Sequence, residues 1–259
     1  MQQAAFFDLD KTVIARSSTL AFGPHLYRAG IFGKRTLLKM ALGQIFYVLL
    51  GADEDQLERA RDELLALVSG RKKTEIERIV EETLHDVAEP LVYAEALFLI
   101  DEHTRQGRRV FIVSASPEEI VRPFARYVGV NEVIATRIQT DAAGRYVPEL
   151  EVYAMGPGKA AAMQKVAERE DIDLEASYAY SDSITDLPMM EVVGNPVAVN
   201  PERELRKIAE EREWPMLVFK RPVTLGPTIP RPSPVASAVV AGIGAAVVVA
   251  LILRKNLRR

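Results

Sequence analysis

The chain has 259 residues, 48% of them hydrophobic and 27% charged, with a formal net charge of −3 and no cysteine. This is the composition of an ordinary globular chain with a sizeable core, long enough for one large domain or two modest ones. It excludes disulfides and thiolate metal sites, and with no clustered basic excess nucleic-acid binding is not expected.

Met1-Gln2-Gln3 leads straight into the apolar run Ala4-Ala5-Phe6-Phe7, with no basic or apolar leader, so no secretory signal peptide is expected. The run reads as a buried strand that stops at two carboxylates, Asp8 and Asp10, spaced i, i+2, with Thr12 two residues on. In an open α/β sheet ligands bind at the carboxyl ends of the strands, which is where such acids would sit. From residue 15 to about 90 no strand stands out. Helical stretches are predicted over 18–29, 34–50, 53–69 and 73–88, the last opened by Thr74-Glu75-Ile76-Glu77, which resembles a capping box. Residues 37–50 hold 11 apolar positions in 14 behind Lys34, Arg35 and Lys39; they read as a buried helix or as a face toward lipid.

From Leu91 strands and helices alternate. A helix over 93–106 leads to the strand Arg109-Val110-Phe111-Ile112-Val113 and then Ser114. A helix follows over 118–127, then strands over 133–139 and 146–152 around the turn Asp141-Ala142-Ala143-Gly144. Next come a helix over 158–170, a strand over 177–181, a short helix from Asp186, a strand over 196–199 and a helix over 201–213. The alternation predicts an α/β fold, a Rossmann-like parallel sheet with helices on both faces. Residues 221–234 carry five prolines in 14 positions and read as a stiff linker. Residues 235–253 are 19 residues without a charge; as a helix they would be about 29 Å long, the thickness of a bilayer core. A transmembrane helix is therefore expected there, followed by the basic tail 254–259. Ala238, Gly242, Ala246 and Ala250 share one face, which either lets two such helices form a homodimer or marks an Ala-rich span. The tail's basic residues pull it toward the cytoplasm, whereas the missing leader keeps the large domain there. The expectation is a membrane-anchored protein with its catalytic domain cytoplasmic.

Two strand-end carboxylates repel unless a cation lies between them or one keeps a proton. Later signals supply the complement. Ser114 ends a strand and offers a hydroxyl to an oxyanion. Lys159, in Gly156-Pro157-Gly158-Lys159, lies at a helix start, where free N–H groups favour an anion. Asp182 and Asp186 close another strand at i, i+4. Oxygen ligands without His or Cys suit Mg²⁺. Together these point to a phosphoryl-transfer site. His25, His85 and His103 have no ligand-like spacing and read as ordinary helix or surface residues.

The set Asp8-x-Asp10-x-Thr12, Ser114, Lys159 and Asp182-x-x-x-Asp186 resembles the motifs of the haloacid dehalogenase superfamily. The helical insert after the first strand is similar to that of its phosphoserine phosphatase-like branch. The resemblance covers residues 1 to about 220. It implies a catalytic core over 1–15 and 91–220, with an α-helical cap over 16–90 inserted after the first strand. It also implies Asp8 as nucleophile, Asp10 as general acid and then base, and Ser114 and Lys159 as ligands of the phosphoryl oxygens. Mg²⁺ would sit on Asp8, the Asp10 carbonyl and Asp182, with Asp186 and Thr12 behind them. The function implied is a Mg²⁺-dependent phosphomonoester phosphatase working through an aspartyl-phosphate. The chain departs from phosphoserine phosphatases nine residues after Asp8, where their glutamate is Ser17, and at Ser181, where glycine is frequent. That departure, with the apolar stretches, suggests a membrane-associated or lipid phosphate as substrate. Phosphoserine, or an alcohol replacing water as acceptor in a phosphotransferase, are the alternatives. The non-enzyme alternative is a membrane-tethered scaffold.

Overall fold

The structure is a computed structural model; it describes residues 2–31, 33, 61–62 and 65–220. β1 (Ala4–Asp8) is buried along its whole length, so a run without alternation becomes the central strand of a sheet covered on both faces. The sheet has seven strands in the order β4-β3-β2-β1-β5-β6-β7. These are β2 (Arg109–Pro117), β3 (Glu132–Thr140), β4 (Tyr146–Val152), β5 (Tyr178–Ser181), β6 (Asn195–Val199) and β7 (Met216–Leu217). Neighbours are parallel except β3 and β4, which form an antiparallel hairpin at the sheet edge around the turn expected at 141–144.

Alternate side chains of β1 feed two cores. Ala5 and Phe7 join Phe22 of α1 (Ser18–Arg28), Val80 of α2 (Lys73–Ala88), Ile100 of α3 (Ala94–Arg105) and Phe124 of α4 (Glu118–Tyr127). Ala4 and Phe6 join Met163 of α5 (Pro157–Glu170), Met189 and Met190 of α6 (Leu187–Glu191) and Leu205 of α7 (Arg203–Glu211). Phe7 stacks on Tyr180 at 4.3 Å and Phe6 on Phe111 at 5.0 Å, locking β1 between its neighbours.

Chain order reverses at β1, with β2 on one side and β5 on the other, so the crevice for a ligand opens above its carboxyl end. Register sets the levels there: Asp8 pairs with Val113, just before Ser114, and Phe7 pairs with Tyr180, just before Ser181. The segment between β1 and α3 leaves and returns at one place. Ile14 bridges Val92, Ala15 N–H donates to Leu91 O, and Tyr93 N–H donates to Val13 O.

Three expectations are corrected. Strand β2 runs on to Pro117 instead of ending at Val113, because it slips register: Ser114 pairs with Ala135 and Pro117 with Thr136. The extra residues on β2 are a bulge-like irregularity in its pairing with β3. The capping box at residue 74 does not form. Helix α2 starts at Lys73 without a side-chain cap, because its first N–H donates to Gly144 O of the neighbouring hairpin turn. The membrane-anchored location is the third. Among the described residues no helix is long and apolar enough to cross a membrane. The longest, α2, has 16 residues, about 24 Å against a core of about 30 Å, and its sequence carries five acids. The linker 221–234, the span 235–253 with its dimer face and the tail 254–259 lie outside the described residues, as do residues 34–50 and most of the helix expected over 53–69.

Candidate active site

Asp8 ends β1 and is 5% exposed. Lys159 Nζ, projected inward from the first turn of α5, donates to Asp8 Oδ1 at 2.5 Å and to Asp186 Oδ2 at 2.8 Å. Ser181 Oγ donates to the same Asp186 oxygen at 2.7 Å. Burial alone would lower the Lys159 pKa, but Asp186 and Asp8 outweigh it and hold the ammonium charged. For Asp8, burial pushes the carboxyl well above the usual range; Lys159 opposes this while Asp186, Asp182 and Asp10 add to it.

The loop that delivers Lys159 depends on glycine. Gly156 has φ of 52°, and a Cβ on Gly158 would lie 2.1 Å from the Tyr153 carbonyl oxygen. Pro157 at the helix start fixes the entry direction.

Asp10 lies one turn beyond Asp8, where Lys11 adopts φ of 60° and Val13 N–H closes back onto Leu9 O. Its Oδ1 accepts the Ser18 N–H at 2.7 Å and its Oδ2 accepts the Ser116 hydroxyl at 3.2 Å. The carboxylate thus caps α1 in place of Ser17, whose own side chain makes no cap bond. Burial raises the Asp10 pKa, opposed first by Ser18 and then by Lys159 and Ser116.

Ser114 is 1% exposed and its Oγ accepts the Ser116 N–H at 3.2 Å, leaving its own proton to donate. Asp182 follows β5, is 5% exposed and has Lys11 Nζ 3.7 Å away. Burial raises its pKa to about 7, with Lys11 opposing and Asp186 and Glu202 adding. Thr12 is fully buried and its Oγ1 lacks a hydrogen-bond partner among the described residues.

Sequence reasoning missed several supports. Glu202 accepts the Ile184 N–H at 2.7 Å and the Ser183 hydroxyl at 3.1 Å, and its own N–H donates to the Asp182 carbonyl at 2.9 Å. It pins the loop carrying Asp182 and Asp186 from the next strand over. Ser18 and Ser116 are likewise hydroxyls that no local motif distinguishes from surface serines. His103, read as ordinary, is buried against Tyr180 at 2.8 Å. Burial and then Arg108 lower its pKa to about 4, so it stays neutral in the core.

The donor set fits a hard divalent cation. Asp8, Asp182 and Asp186 are buried oxygen donors; burial raises the pKa of Asp8 and of Asp182, and the neighbouring carboxylates add to it. Among the described residues no three His, Cys, Asp or Glu side chains form a ready-made metal cage. Mg²⁺ does not need one: one or two carboxylates with waters and a substrate oxygen suffice.

A mainly parallel α/β sheet thus brings buried acids, an ammonium and a serine to its switch point, an arrangement suited to an anionic ester. The model of the haloacid dehalogenase-like hydrolases matches residues 5–191, and the chain belongs to that family. It is 49% identical to a probable phosphatase of Mycobacterium tuberculosis over 93% of this chain and 84% of that one. A phosphoserine phosphatase of the same organism is 33% identical over 84% and 71% of the two chains. A histidinol-phosphatase of Neisseria meningitidis is 30% identical over 85% and 100%. Among solved structures, a Bordetella pertussis protein of unknown function superposes with a TM-score of 0.74 at 28% identity, covering 84% of this chain and 98% of that one. A phosphoserine phosphatase carrying a phospho-aspartyl intermediate analogue superposes at 0.60 and 17% identity, over 85% and 94%, a likeness of fold alone. The phosphatase reading of the sequence stands, and the chain is an enzyme of the phosphoric monoester hydrolase class.

Proposed function

We propose that the chain is a Mg²⁺-dependent phosphatase of small phosphomonoesters, with residues 1–15 and 91–220 as catalytic core and 16–90 as cap. One observation carries the assignment of roles: a strand-end carboxylate, Asp8, buried and held at 2.5 Å by an ammonium from a different element, Lys159. In the first half-reaction an Asp8 oxygen attacks phosphorus, the bond to the leaving oxygen breaks, and Asp10 gives that oxygen its proton. In the second, Asp10 takes a proton from water, the water oxygen attacks phosphorus, and the bond to Asp8 breaks to release inorganic phosphate. One carboxyl group serves as acid and then base because each half-reaction leaves it in the state the next requires. Ser114 and Lys159 bind the phosphoryl oxygens, and Asp186 orients Lys159. Asp8, the Asp10 carbonyl and Asp182 would hold Mg²⁺, which would supply charge neutralisation for the phosphoryl group.

The relatives named for phosphoserine and histidinol phosphate act on primary alkyl phosphates with an amine nearby. A small alkyl phosphate is the substrate class this supports. The lipid-phosphate expectation drew on residues 37–50 and 235–253, which lie outside the described residues. The test is Asp8→Asn. It should abolish Mg²⁺-dependent hydrolysis of p-nitrophenyl phosphate, a loss of at least about 10³-fold, with the melting temperature unchanged or higher. Hydrolysis near the wild-type rate would overturn the role of Asp8.

A further inference from the structure

Ser116 is a buried hydroxyl that the mechanism so far does not use, and its bonds are fully accounted for. Its Oγ donates to Asp10 Oδ2 at 3.2 Å, receives the Ser18 hydroxyl proton at 3.0 Å and lies 3.1 Å from Thr19 Oγ1. A hydroxyl has one proton and two lone pairs. Since the proton goes to Asp10, both lone pairs are taken by the two hydroxyls at the start of α1. Its backbone N–H donates to Ser114 Oγ at 3.2 Å, where the pairing of β2 with β3 shifts register.

The consequence falls on Asp10. Its two oxygens each accept one bond, from Ser18 N–H and from Ser116, which fixes the plane of the carboxyl group. An acid proton on Asp10 is left the remaining lone-pair directions, away from both donors. We infer that Ser116 is a positioning residue: it holds the Asp10 carboxyl in the orientation that delivers a proton to the leaving oxygen, and it ties that orientation to helix α1 through Ser18 and Thr19. The inference rests on the role proposed above for Asp10. Ser116 does not touch the reacting atoms; it acts through Asp10.

A residue that positions the general acid matters most where the leaving group most needs a proton. The test therefore compares kcat/KM of the full chain with Mg²⁺ on p-nitrophenyl phosphate, whose leaving group departs readily, and on phenyl phosphate, whose leaving group does not. kcat/KM reports the steps up to and including transfer to Asp8, so the later hydrolysis does not mask the effect. Ser116→Ala should lower the ratio of phenyl to p-nitrophenyl kcat/KM by about tenfold, the worth of one hydrogen bond to a charged group. Ser116→Thr, which keeps the hydroxyl, should restore the ratio to within about twofold. Equal losses on both esters, or an unchanged ratio, would overturn the inference and make Ser116 a packing residue. Should Ser116→Ala fail to fold, Ser18→Ala combined with Thr19→Val must shift the ratio the same way, and no shift overturns it. Failure of the wild type to hydrolyse either ester would instead overturn the phosphatase function, and this inference with it.

Discussion

At the site Lys159 bonds Asp8 and Asp186, while Asp182 is buried with Lys11 3.7 Å away, and that burial has a pH signature. Asp182 titrates at about 7 in the fold, raised first by burial, against an ordinary value of 3.8. The folded protein therefore binds more protons than the unfolded chain between those values. The contribution of Asp182 to stability is fully present below pH of about 4 and is lost as pH rises through about 7. Mg²⁺ should reverse this, since above that range it meets an ionised carboxylate and displaces no proton. The rise in melting temperature on adding Mg²⁺ should accordingly be larger at pH 8 than at pH 6 in differential scanning fluorimetry. An equal or larger rise at pH 6 would remove Asp182 from the metal site. Asp8, Asp10, Ser114, Lys159, Asp182 and Asp186 were all legible in the sequence because each sits at the end of an apolar run or the start of a helix. Ser116, Ser18 and Glu202 were not, because a serine or glutamate that supports another side chain carries no spacing signal of its own.

Helix α5 has to start where Lys159 can reach two acids at once. Gly158 permits the tight approach of the preceding loop, with no room for a Cβ beside the Tyr153 carbonyl. Gly158→Ala forces backbone to move, at a cost of about 1–3 kcal/mol. It should lower the melting temperature and also raise KM, because Lys159 shifts with the helix start. A stable variant with unchanged KM would show that the loop does not position Lys159. At this scale the sequence was legible where periodicity governs. Helices α2 and α4 fall on the expected residues, since their apolar faces repeat at helical spacing. It failed where a tertiary contact decides. The hairpin carbonyl of Gly144, not a side chain, starts α2, and the β3 register, not the run of apolar residues, sets the end of β2. The two-residue strand β7 is too short to show a period and is held from Asn200, whose N–H and side-chain groups bond Leu217 and Phe219.

Across the whole molecule, seven strands in the order 4-3-2-1-5-6-7 bring acids separated by more than 170 positions in the chain to one crevice. The alternation of strands and helices foretold the parallel sheet. It did not foretell strand order, which depends on which faces pack: Phe7 on Tyr180 and Phe6 on Phe111 draw β5 and β2 to either side of β1. The antiparallel edge strand β4 follows from the short turn at 141–144, too short for a crossover. The membrane-anchored location is corrected at this scale: among the described residues no helix is long and apolar enough to cross a membrane, and residues 235–253 lie outside them. The central claim, that a carboxylate at the end of β1 carries the phosphoryl group, has a direct test. The protein with Mg²⁺ is mixed with a phosphomonoester, quenched in acid during turnover, digested and weighed by mass spectrometry. The account predicts that the peptide containing Asp8 gains the mass of one phosphoryl group, and that Asp8→Asn does not. Turnover with no labelled peptide, or with the label on a residue other than Asp8, would contradict it.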